Sequence, residues 1–240
     1  MRGFFVTGTG TEVGKTVVAS AIAYSASAGG DRVAVFKPAV SGLDDRPLSP
    51  EVWESARELP DHALLRLAAG SRQGDEEVAP YRYGPPVSPH LAAQLAGERI
   101  DPDRIRGAAL GATEDADLLI CEGVGGFLVP LTPDYLVRDL ARDLALPVVV
   151  AASPGLGTIN HTLLTIQAVR SAGLEVAAVV LTPWPAEVSA MERSNLETIG
   201  RLGSVPVETL PSLDLTNPGS WPALHIGVGS PRAASSLRAA

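Results

Sequence analysis

The sequence predicts an α/β fold in which helices cover both faces of a doubly wound, mostly parallel sheet. First, six short apolar runs rich in β-branched residues alternate with segments of helical pattern, as is typical of buried parallel strands. Second, the first apolar run passes through a glycine-rich turn directly into a helical pattern. Third, 45% hydrophobic residues in a chain of 240 suffice for one large core. We therefore expect a single α/β domain over 1–240, less regular over 211–240.

Each element follows from a local pattern. The predicted strands are short segments dominated by apolar residues, and they cover 4–6, 32–36, 117–120, 147–150, 176–181 and 205–207. Several predicted helices begin near Asp, Ser or Thr and end near Gly, and they cover 15–29, 88–97, 134–145, 158–172 and 186–201. Two proline-rich stretches, 38–60 and 74–87, fit neither pattern, and loops of that length commonly carry function.

The glycine-rich turn at residues 8–16 predicts a phosphate site. Backbone N–H groups and the helix dipole favour phosphate oxygens here, Lys15 can reach the outer phosphates, and the Thr16 hydroxyl can bind Mg²⁺. Five residues separate Gly8 from Gly14, one more than in the usual phosphate-binding loop. The alternative is a glycine turn that only starts a helix.

Composition argues against several classes of protein. Charged residues make up only 19% and the net charge is -8, so there is no basic footprint for nucleic acid. No secretory signal pattern opens the chain, and no apolar run approaches the roughly 20 residues that span a bilayer. The single Cys121 lies in an apolar run, which is compatible with a reducing compartment. We expect a soluble, cytoplasmic protein without nucleic-acid or membrane partners.

Two further predicted strands end in charged residues, at the edge where ligands of such sheets collect. Lys37 follows the second strand and is placed to enter a phosphate cleft, although a strand-ending Lys also commonly reaches solvent. Glu122 follows the third strand and begins the segment 122–126, in which three glycines permit close backbone approach to phosphate. Its carboxylate can complete a Mg²⁺ shell beside Thr16. The alternative is a β-turn with a solvated Glu122.

Five segments together resemble the dethiobiotin synthetase family of the P-loop NTPase superfamily, and they occur in the family's order. They are TGTGTEVGKT at 7–16, Lys37-Pro38 with Ser41-Gly42, Ser88-Pro89-His90, EGVGG at 122–126 and GTINH at 157–161. The resemblance covers about residues 1–182. The extra residue between Gly8 and Gly14 is characteristic of this family.

The resemblance implies an ATP-dependent ring closure in biotin biosynthesis, in which 7,8-diaminononanoate, CO₂ and ATP give dethiobiotin, ADP and phosphate. One amine takes up CO₂, the carbamate attacks the γ-phosphate, and the second amine displaces phosphate from the mixed anhydride. Several negative charges converge in such a reaction, so catalysis depends on positioning and fixed positive charge. The family comparison assigns this charge to Lys15, on the transferred phosphoryl group, and to Lys37, on the carbamate and γ-phosphate.

The resemblance also implies the ligand contacts. Those to the nucleotide are Thr11, Glu12, Val13, Gly14, Lys15, Thr16, Val17, Glu122, Gly123, Val124, Gly125, Thr182, Pro211, Ser212 and Leu213. Mg²⁺ is expected at Thr16, Asp61 and Glu122. Asp44 and Asp45 are alternatives to Asp61, which could instead be a helix N-cap.

For the diamine, the resemblance implies a contact with Ser41, whose hydroxyl could otherwise serve only the turn. The substrate carboxylate is expected at the helix start formed by Gly157, Thr158, Ile159 and Asn160, where N–H donors and the dipole coincide. In the family this helix start comes from the neighbouring subunit, so a homodimer is implied. His90 and His161 could be considered as a general base, but His at a helix start more often caps or packs.

One departure concerns the base of the nucleotide. The family often has Asn-Asp after the fifth strand, where this chain has Thr182-Pro183-Trp184. A Thr hydroxyl lacks the paired donor and acceptor of an amide, so selectivity for adenine is open. Trp184 could stack on a base or cover the sheet edge.

Other functions remain as alternatives. A different ATP-dependent ligase on this fold would need other substrate motifs. A switch ATPase of the partitioning or nitrogenase-iron-protein kind usually carries an additional Lys early in the loop, where Gly10 stands here. A non-catalytic nucleotide-binding module would not need Lys15, Thr16, Lys37 and Glu122 together.

Overall fold

A six-stranded parallel sheet forms the centre of the computed structural model, which describes residues 2–44 and 59–227. In chain order its strands are β1 (Gly3–Gly8), β2 (Val33–Phe36), β3 (Leu118–Gly126), β6 (Val148–Ala152), β7 (Val176–Trp184) and β8 (Val207–Pro211). They lie in the order β2-β3-β1-β6-β7-β8, and each is parallel to its neighbours. The short strands β4 (Pro130–Thr132) and β5 (Tyr135–Leu136) form a separate antiparallel pair.

Helices cover both faces of this sheet. They are α1 (Lys15–Ala28), α2 (Asp61–Ala69), α3 (Asp75–Val78), α4 (Pro89–Leu95), α5 (Pro102–Gly111), α6 (Val137–Leu144), α7 (Thr158–Ser171) and α8 (Ala190–Gly203). One apolar cluster joins the sheet to α1 and α2, and another joins its opposite face to α4–α8. Along β1, Phe4 and Val6 belong to the first cluster and Phe5 to the second. The predicted doubly wound α/β fold is confirmed.

Several boundaries differ from the prediction because tertiary contacts decide them. The predicted helix 134–145 was wrong at its start, since Tyr135 and Leu136 pair with β4, and the Leu136 N–H donates to Asp139 Oδ2 at 2.9 Å as α6 begins. β3 runs on to Gly126, and the last strand begins at Val207 rather than at residue 205.

Three helices were not among those predicted from periodicity: α2, α3 and α5. The start of α5 nevertheless carries a clear local signal. Pro102 is its first residue, and Asp101 accepts a hydrogen bond from Asp103 N at 2.9 Å, which is a strong combination for starting a helix. The helix α3 lies within the stretch 74–87, which was predicted to be irregular.

After β8 the described chain contains only a 3₁₀ turn, Pro218–Ser220, as regular structure. Trp221 and Leu224 are buried against α1, where Trp221 packs edge-on against Tyr24 and the Leu224 N–H donates to Ser25 Oγ at 2.8 Å. The expected irregular segment is therefore anchored as far as Leu224. The remainder of 211–240 from 228 onward lies outside the described residues, as do 45–58 of the loop 38–60.

The direction of strand addition reverses between β1 and β6. From β1 the chain adds β2 and β3 on one side, and β6, β7 and β8 on the other. Ligands of open α/β sheets bind at this reversal, beyond the carboxyl ends of the strands. Among the described helices, none has the length and apolar character that a bilayer crossing requires.

Candidate active site

The glycine-rich loop lies at the reversal point and closes tightly on itself. Gly14 has φ 85°, a left-handed conformation, and a Cβ there would lie 2.6 Å from Thr182 Cγ2. A Cβ at Gly8 would lie 2.7 Å from Val13 Cγ2. The Thr9 N–H donates to the Ala151 carbonyl at 3.1 Å, which ties the loop to β6. Gly8 and Gly14 therefore allow contacts that no larger side chain would permit.

Lys15 begins α1 and is held within the loop. Its side chain is buried, and Nζ donates to the Gly10 carbonyl at 2.8 Å. Burial lowers the pKa of Lys15, and the charge of Glu122 acts in the opposite direction. The ammonium group therefore lies against the glycine-rich loop, as expected for the lysine of a phosphate site.

The register of β2 and β3 brings Lys37 to Glu122. Phe36 pairs with Cys121, so the next residues of both strands lie side by side and face α1 and α2. Lys37 Nζ donates to Glu122 Oε1 at 2.5 Å, and both side chains are buried. The alternatives of a solvent-reaching Lys37 and of a β-turn with a solvated Glu122 are therefore wrong.

Two more side chains complete this cluster, which we call the Lys37–Glu122 cluster: Lys37, Glu122, Asp61 and Thr16. Lys37 Nζ lies 2.9 Å from Asp61 Oδ2, and Thr16 Oγ1 donates to Glu122 Oε1 at 2.9 Å. Asp61 is the first residue of α2, while the N-cap position belongs to Pro60. The interpretation of Asp61 as an N-cap is therefore wrong. Its carboxylate instead pairs with Lys37.

Electrostatics keep Lys37 charged. Burial alone would lower the pKa of Lys37, but the charges of Asp61 and Glu122 and their hydrogen bonds outweigh it, so the pKa is raised above its usual range. Burial raises the pKa of Glu122, and the ammonium of Lys37 opposes that rise. A fixed positive charge thus lies beside the phosphate-binding loop.

The cluster fits a divalent cation. Glu122 Oε2 is buried and has no hydrogen-bond partner, and Thr16 and Asp61 supply further oxygen atoms nearby; hard cations prefer such ligands. Within residues 2–44 and 59–227, no three His, Cys, Asp or Glu side chains form a metal site by themselves. Mg²⁺ bound here would therefore need phosphate or water as additional ligands.

Asp44, one of the two alternatives to Asp61 as a Mg²⁺ ligand, lies against Gly84. Its N–H donates to the Gly84 carbonyl at 2.9 Å, and its carboxylate occupies the space over Gly84, where a Cβ would lie 2.2 Å from both oxygens. Asp45 lies outside the described residues. This geometry favours Asp61, which contacts Lys37 directly.

The glycines after Glu122 have packing roles. A Cβ at Gly123 would lie 2.9 Å from Val137 Cγ1, and one at Gly125, where φ is 62°, would lie 2.9 Å from Val129 Cγ2. Val124 packs against the same cluster as α6. Glycine is therefore required at 123 and 125, because β3 lies directly against the side chains of Val137 and Val129 there.

The residues expected near the base gather at the ends of β7 and β8. Thr182 is only 2% exposed, and its methyl group lies against Gly14. Trp184 pairs with Pro211 and packs against the cluster shared with α4–α8, which favours its role as a cover of the sheet edge. Ser212 is exposed, while Leu213 packs on the α1 side. Thr11, Glu12, Val13 and Val17 lie in the loop and the first turn of α1.

The start of α7 offers unpaired backbone donors. Gly157 precedes the helix with φ 92°, and Thr158 is buried with its Oγ1 3.3 Å from Thr162 Oγ1. The N–H groups of Ile159 and Asn160 lie in the first turn, where no intrahelical acceptor exists. No acidic residue occupies this turn, so its dipole is available to an anion.

Ser41 lies in a segment fixed to residues 82–85. Its neighbour Val40 bridges to Arg82, and the Gly42 N–H donates to the Pro85 carbonyl at 3.0 Å. Of the two histidines considered as a general base, His161 is exposed and His90 has a buried Nδ1 without a hydrogen-bond partner.

One residue near the site was missed by sequence reasoning. Asn195, in the middle of α8, donates hydrogen bonds to the loop that precedes α7. Its only sequence signal is an Asn inside a helix, where this residue type is unfavourable without a specific role.

Comparison with known proteins identifies one family model and several relatives that share a single name. Residues 2–217 match a family model described as an AAA domain. ATP-dependent dethiobiotin synthetase BioD of Bacillus subtilis (strain 168) is 36% identical over 209 residues, covering 86% of this chain and 85% of the relative. BioD of Aromatoleum aromaticum is 39% identical, covering 86% and 88%, and BioD of Anaeromyxobacter dehalogenans is 41% identical, covering 84% and 86%.

Proposed function

The chain belongs to the family of ATP-dependent dethiobiotin synthetases, and we propose on this premise that it closes the ureido ring of dethiobiotin in biotin biosynthesis. The observation that carries the proposal is the Lys37–Glu122 cluster beside the phosphate-binding loop, in a chain that aligns with its relatives over 84–86% of its length. The substrates are 7,8-diaminononanoate, CO₂ and ATP. A switch ATPase is not favoured, since the relatives are named ATP-dependent dethiobiotin synthetases.

The reaction proceeds in three balanced steps. One amine nitrogen bonds to the carbon of CO₂ and loses a proton, which gives a carbamate. A carbamate oxygen attacks the γ-phosphorus and the bond to ADP breaks, which gives a carbamic-phosphoric anhydride. The second amine attacks the anhydride carbon, phosphate leaves with the former carbamate oxygen, and loss of the amine proton completes the ring.

Lys15 and Lys37 supply the positive charge for this sequence. Lys15 begins the helix that receives the phosphates. Lys37 is buried, and its ammonium donates to the same Glu122 oxygen as Thr16, which follows the loop. Because the pKa of Lys37 is raised, its side chain stays protonated and stabilises the carbamate and the developing charge on the γ-phosphate. Positioning and electrostatics, rather than a covalent intermediate with the protein, are thus the catalytic means.

Thr16, Asp61 and Glu122 would hold Mg²⁺. Their oxygens lie together, and Glu122 Oε2 is buried without a hydrogen-bond partner. Held there, Mg²⁺ would neutralise phosphate charge and would help to orient the phosphoryl group. Lys37 keeps Asp61 and Glu122 close together in space.

The nucleotide lies along the loop and the adjacent strand ends. N–H groups of residues 11–17 surround the phosphates, and the base lies near Thr182 and 211–213. Thr182 is buried with its methyl group towards Gly14, so it offers the base at most one hydroxyl. We expect kcat/KM for ATP, CTP and GTP to differ by less than about tenfold, whereas a site with paired amide contacts discriminates by more. Steady-state rates with the three nucleotides test this, and a larger preference for ATP contradicts it.

The diamine lies between Ser41 of one subunit and the start of α7 of the neighbouring subunit. The substrate carboxylate binds the N–H groups at Gly157–Asn160 of the neighbouring subunit in a homodimer. The first-turn N–H groups of α7, which lack intrahelical acceptors, support this assignment. The free, buried Cys121 supports a reducing cytoplasmic location.

The deciding experiment combines purified protein with diaminononanoate, bicarbonate and MgATP. We expect dethiobiotin, detected by mass, and ADP in equal amounts. Isotopically labelled bicarbonate should transfer its carbon to the product, and omission of bicarbonate should abolish the formation of dethiobiotin. A folded, nucleotide-binding protein that forms no dethiobiotin contradicts the proposal.

A further inference from the structure

We propose that Asn195 is a positioning residue for the substrate carboxylate. From α8, its side-chain amide fixes the loop 153–157 and so sets the direction in which the first turn of α7 presents its backbone N–H groups. This inference rests on the proposed function, because it assigns a further residue to the same carboxylate site.

The contacts of Asn195 are specific. Its side chain is 7% exposed, and Nδ2 donates to the Pro154 carbonyl at 2.9 Å and to the Gly155 carbonyl at 3.3 Å. An asparagine amide has two N–H donors on one nitrogen, which matches two successive backbone acceptors. Asn195 therefore bonds two consecutive peptide groups of the loop from a separate helix.

The loop has little else to hold it. Ser153 and Gly157 are exposed, and Leu156 is 94% exposed. Among the described residues, Asn195 is the only side chain that donates a hydrogen bond to the backbone of residues 153–157. Burial of apolar side chains thus contributes little to the loop conformation, and the amide of Asn195 contributes more.

The link to the carboxylate site passes through Gly155. Its carbonyl accepts the bond from Asn195 and also the Thr158 N–H at 3.2 Å. The same acceptor therefore satisfies the first donor of α7 and leaves the N–H groups of Ile159 and Asn160 for an anion. If the loop shifts, the Thr158 N–H loses its partner and the remaining donors change direction.

The first test is the Asn195→Ala variant. Loss of a hydrogen bond that orients the loop should raise KM for diaminononanoate about tenfold, while KM for ATP and kcat stay within about twofold. The nearly isosteric Asn195→Asp should raise this KM further, because its carboxylate faces two carbonyl oxygens and has no donor for them. If Asn195→Ala fails to fold, Asn195→Ser, which keeps one shorter hydroxyl donor, replaces it in the same measurements.

The matched control is Ser189→Ala. Ser189 caps α8 through the Met191 N–H at 3.2 Å and is exposed, so its loss weakens the same helix without touching the loop 153–157. We expect unchanged KM values for both substrates in this variant. A rise in KM for diaminononanoate in Ser189→Ala equal to that in Asn195→Ala would show that stability of α8 alone is responsible, and would overturn the inference.

A second substrate separates positioning from general damage. The wild type and Asn195→Ala should have equal kcat/KM for a vicinal diamine in which methyl replaces the carboxylate, because that compound does not use the α7 donors. An equal loss on both diamines, or an unchanged KM for diaminononanoate, overturns the role of Asn195. Absence of dethiobiotin from the wild type would instead refute the proposed function, so the two failures are distinguishable.

Discussion

Lys37 is a buried cation bonded to two carboxylates, and this determines what its replacement should do. In Lys37→Gln, the positive charge near the γ-phosphate disappears, so dethiobiotin formation should fall by at least about 100-fold. Nucleotide binding should persist, since the loop and Lys15 are unchanged. Steady-state product formation and calorimetric titration with nucleotide measure the two quantities.

The same variant leaves Asp61 and Glu122 without their cation. Breaking a buried pair on one side costs about 3–5 kcal/mol, so the Tm should be measured with MgATP present to establish that the variant is folded. Lys37→Arg retains the charge and should retain more activity than Lys37→Gln. Activity near the wild-type level in folded Lys37→Gln would remove Lys37 from the mechanism.

Asp61 and Asp44 provide a matched pair for the metal assignment. Asp61 touches Lys37, whereas the carboxylate of Asp44 lies over Gly84. Asp61→Asn should raise the Mg²⁺ concentration for half-maximal activity by about 10–100-fold, the scale found for groups that support a metal site, and should weaken Mg²⁺-dependent nucleotide binding measured without the diamine. Asp44→Asn should change neither quantity. The reverse result would move the third ligand to Asp44.

Sequence patterns could identify these residues singly but not their contacts. Lys37 and Glu122 each end an apolar run, and that is visible along the chain. Their contact depends on the pairing of Phe36 with Cys121, a register that no local pattern specifies. For the same reason, the burial of Glu122 and the absence of a hydrogen-bond partner for its Oε2 among the described residues could be recognised only from the three-dimensional structure.

At the level of elements, β2 and β3 are joined at their starts by an ion pair. Arg32 Nε and Nη2 donate to both oxygens of Asp117 at 3.0 and 2.9 Å, and the Arg32 N–H donates to Asp117 Oδ2 at 3.0 Å. These hydrogen bonds lower the pKa of Asp117 below its usual range. The contact is in the same register as the pairing of Phe36 with Cys121, which brings Lys37 beside Glu122.

The pH dependence of stability follows from the lowered pKa of Asp117. A carboxylate whose pKa is lower in the folded state stabilises it above the unfolded value of about 3.9, and this contribution disappears as the pH falls through the folded value. Asp117→Asn should therefore lower the Tm at pH 7, and its difference from the wild type should shrink as the pH falls below about 4. Asp115→Asn, in the same exposed turn, should leave the Tm unchanged; calorimetry at pH 7 and at lower pH tests both. A difference that grows on acidification would contradict the pKa direction.

Element predictions held where periodicity was long and uninterrupted. The segments 15–29 and 158–172 closely match α1 and α7. The failure at 134–145 arose from Tyr135 and Leu136, which pair with β4 although their pattern is compatible with a helix. Pairing with β4, which ends only three residues before β5 begins, overrode the local helical pattern there.

For the whole molecule, the proposed homodimer has a physical candidate surface on α7. Leu164 is 56% exposed, and Leu156, which directly precedes the proposed carboxylate site, is 94% exposed. Light scattering should give twice the 24.8 kDa chain mass. Leu164→Glu should shift the protein towards monomer and lower activity together.

The control for this surface is Leu110→Glu on α5, also half exposed. Its mass and activity should match those of the wild type. A monomer with full activity, in the wild type or in Leu164→Glu, would contradict the shared carboxylate site.

The burial of Lys15 and Lys37 has a practical consequence for spectroscopy. They are the only two lysines in the sequence, and the other 17 of its 19 Lys and Arg residues are arginines. Both lysines belong to the proposed active site and are at most 8% exposed. Lysine labelled with ¹⁵N or ¹³C would therefore give two side-chain resonances, each reporting directly on the phosphate and carbamate positions, with no surface lysine to obscure them.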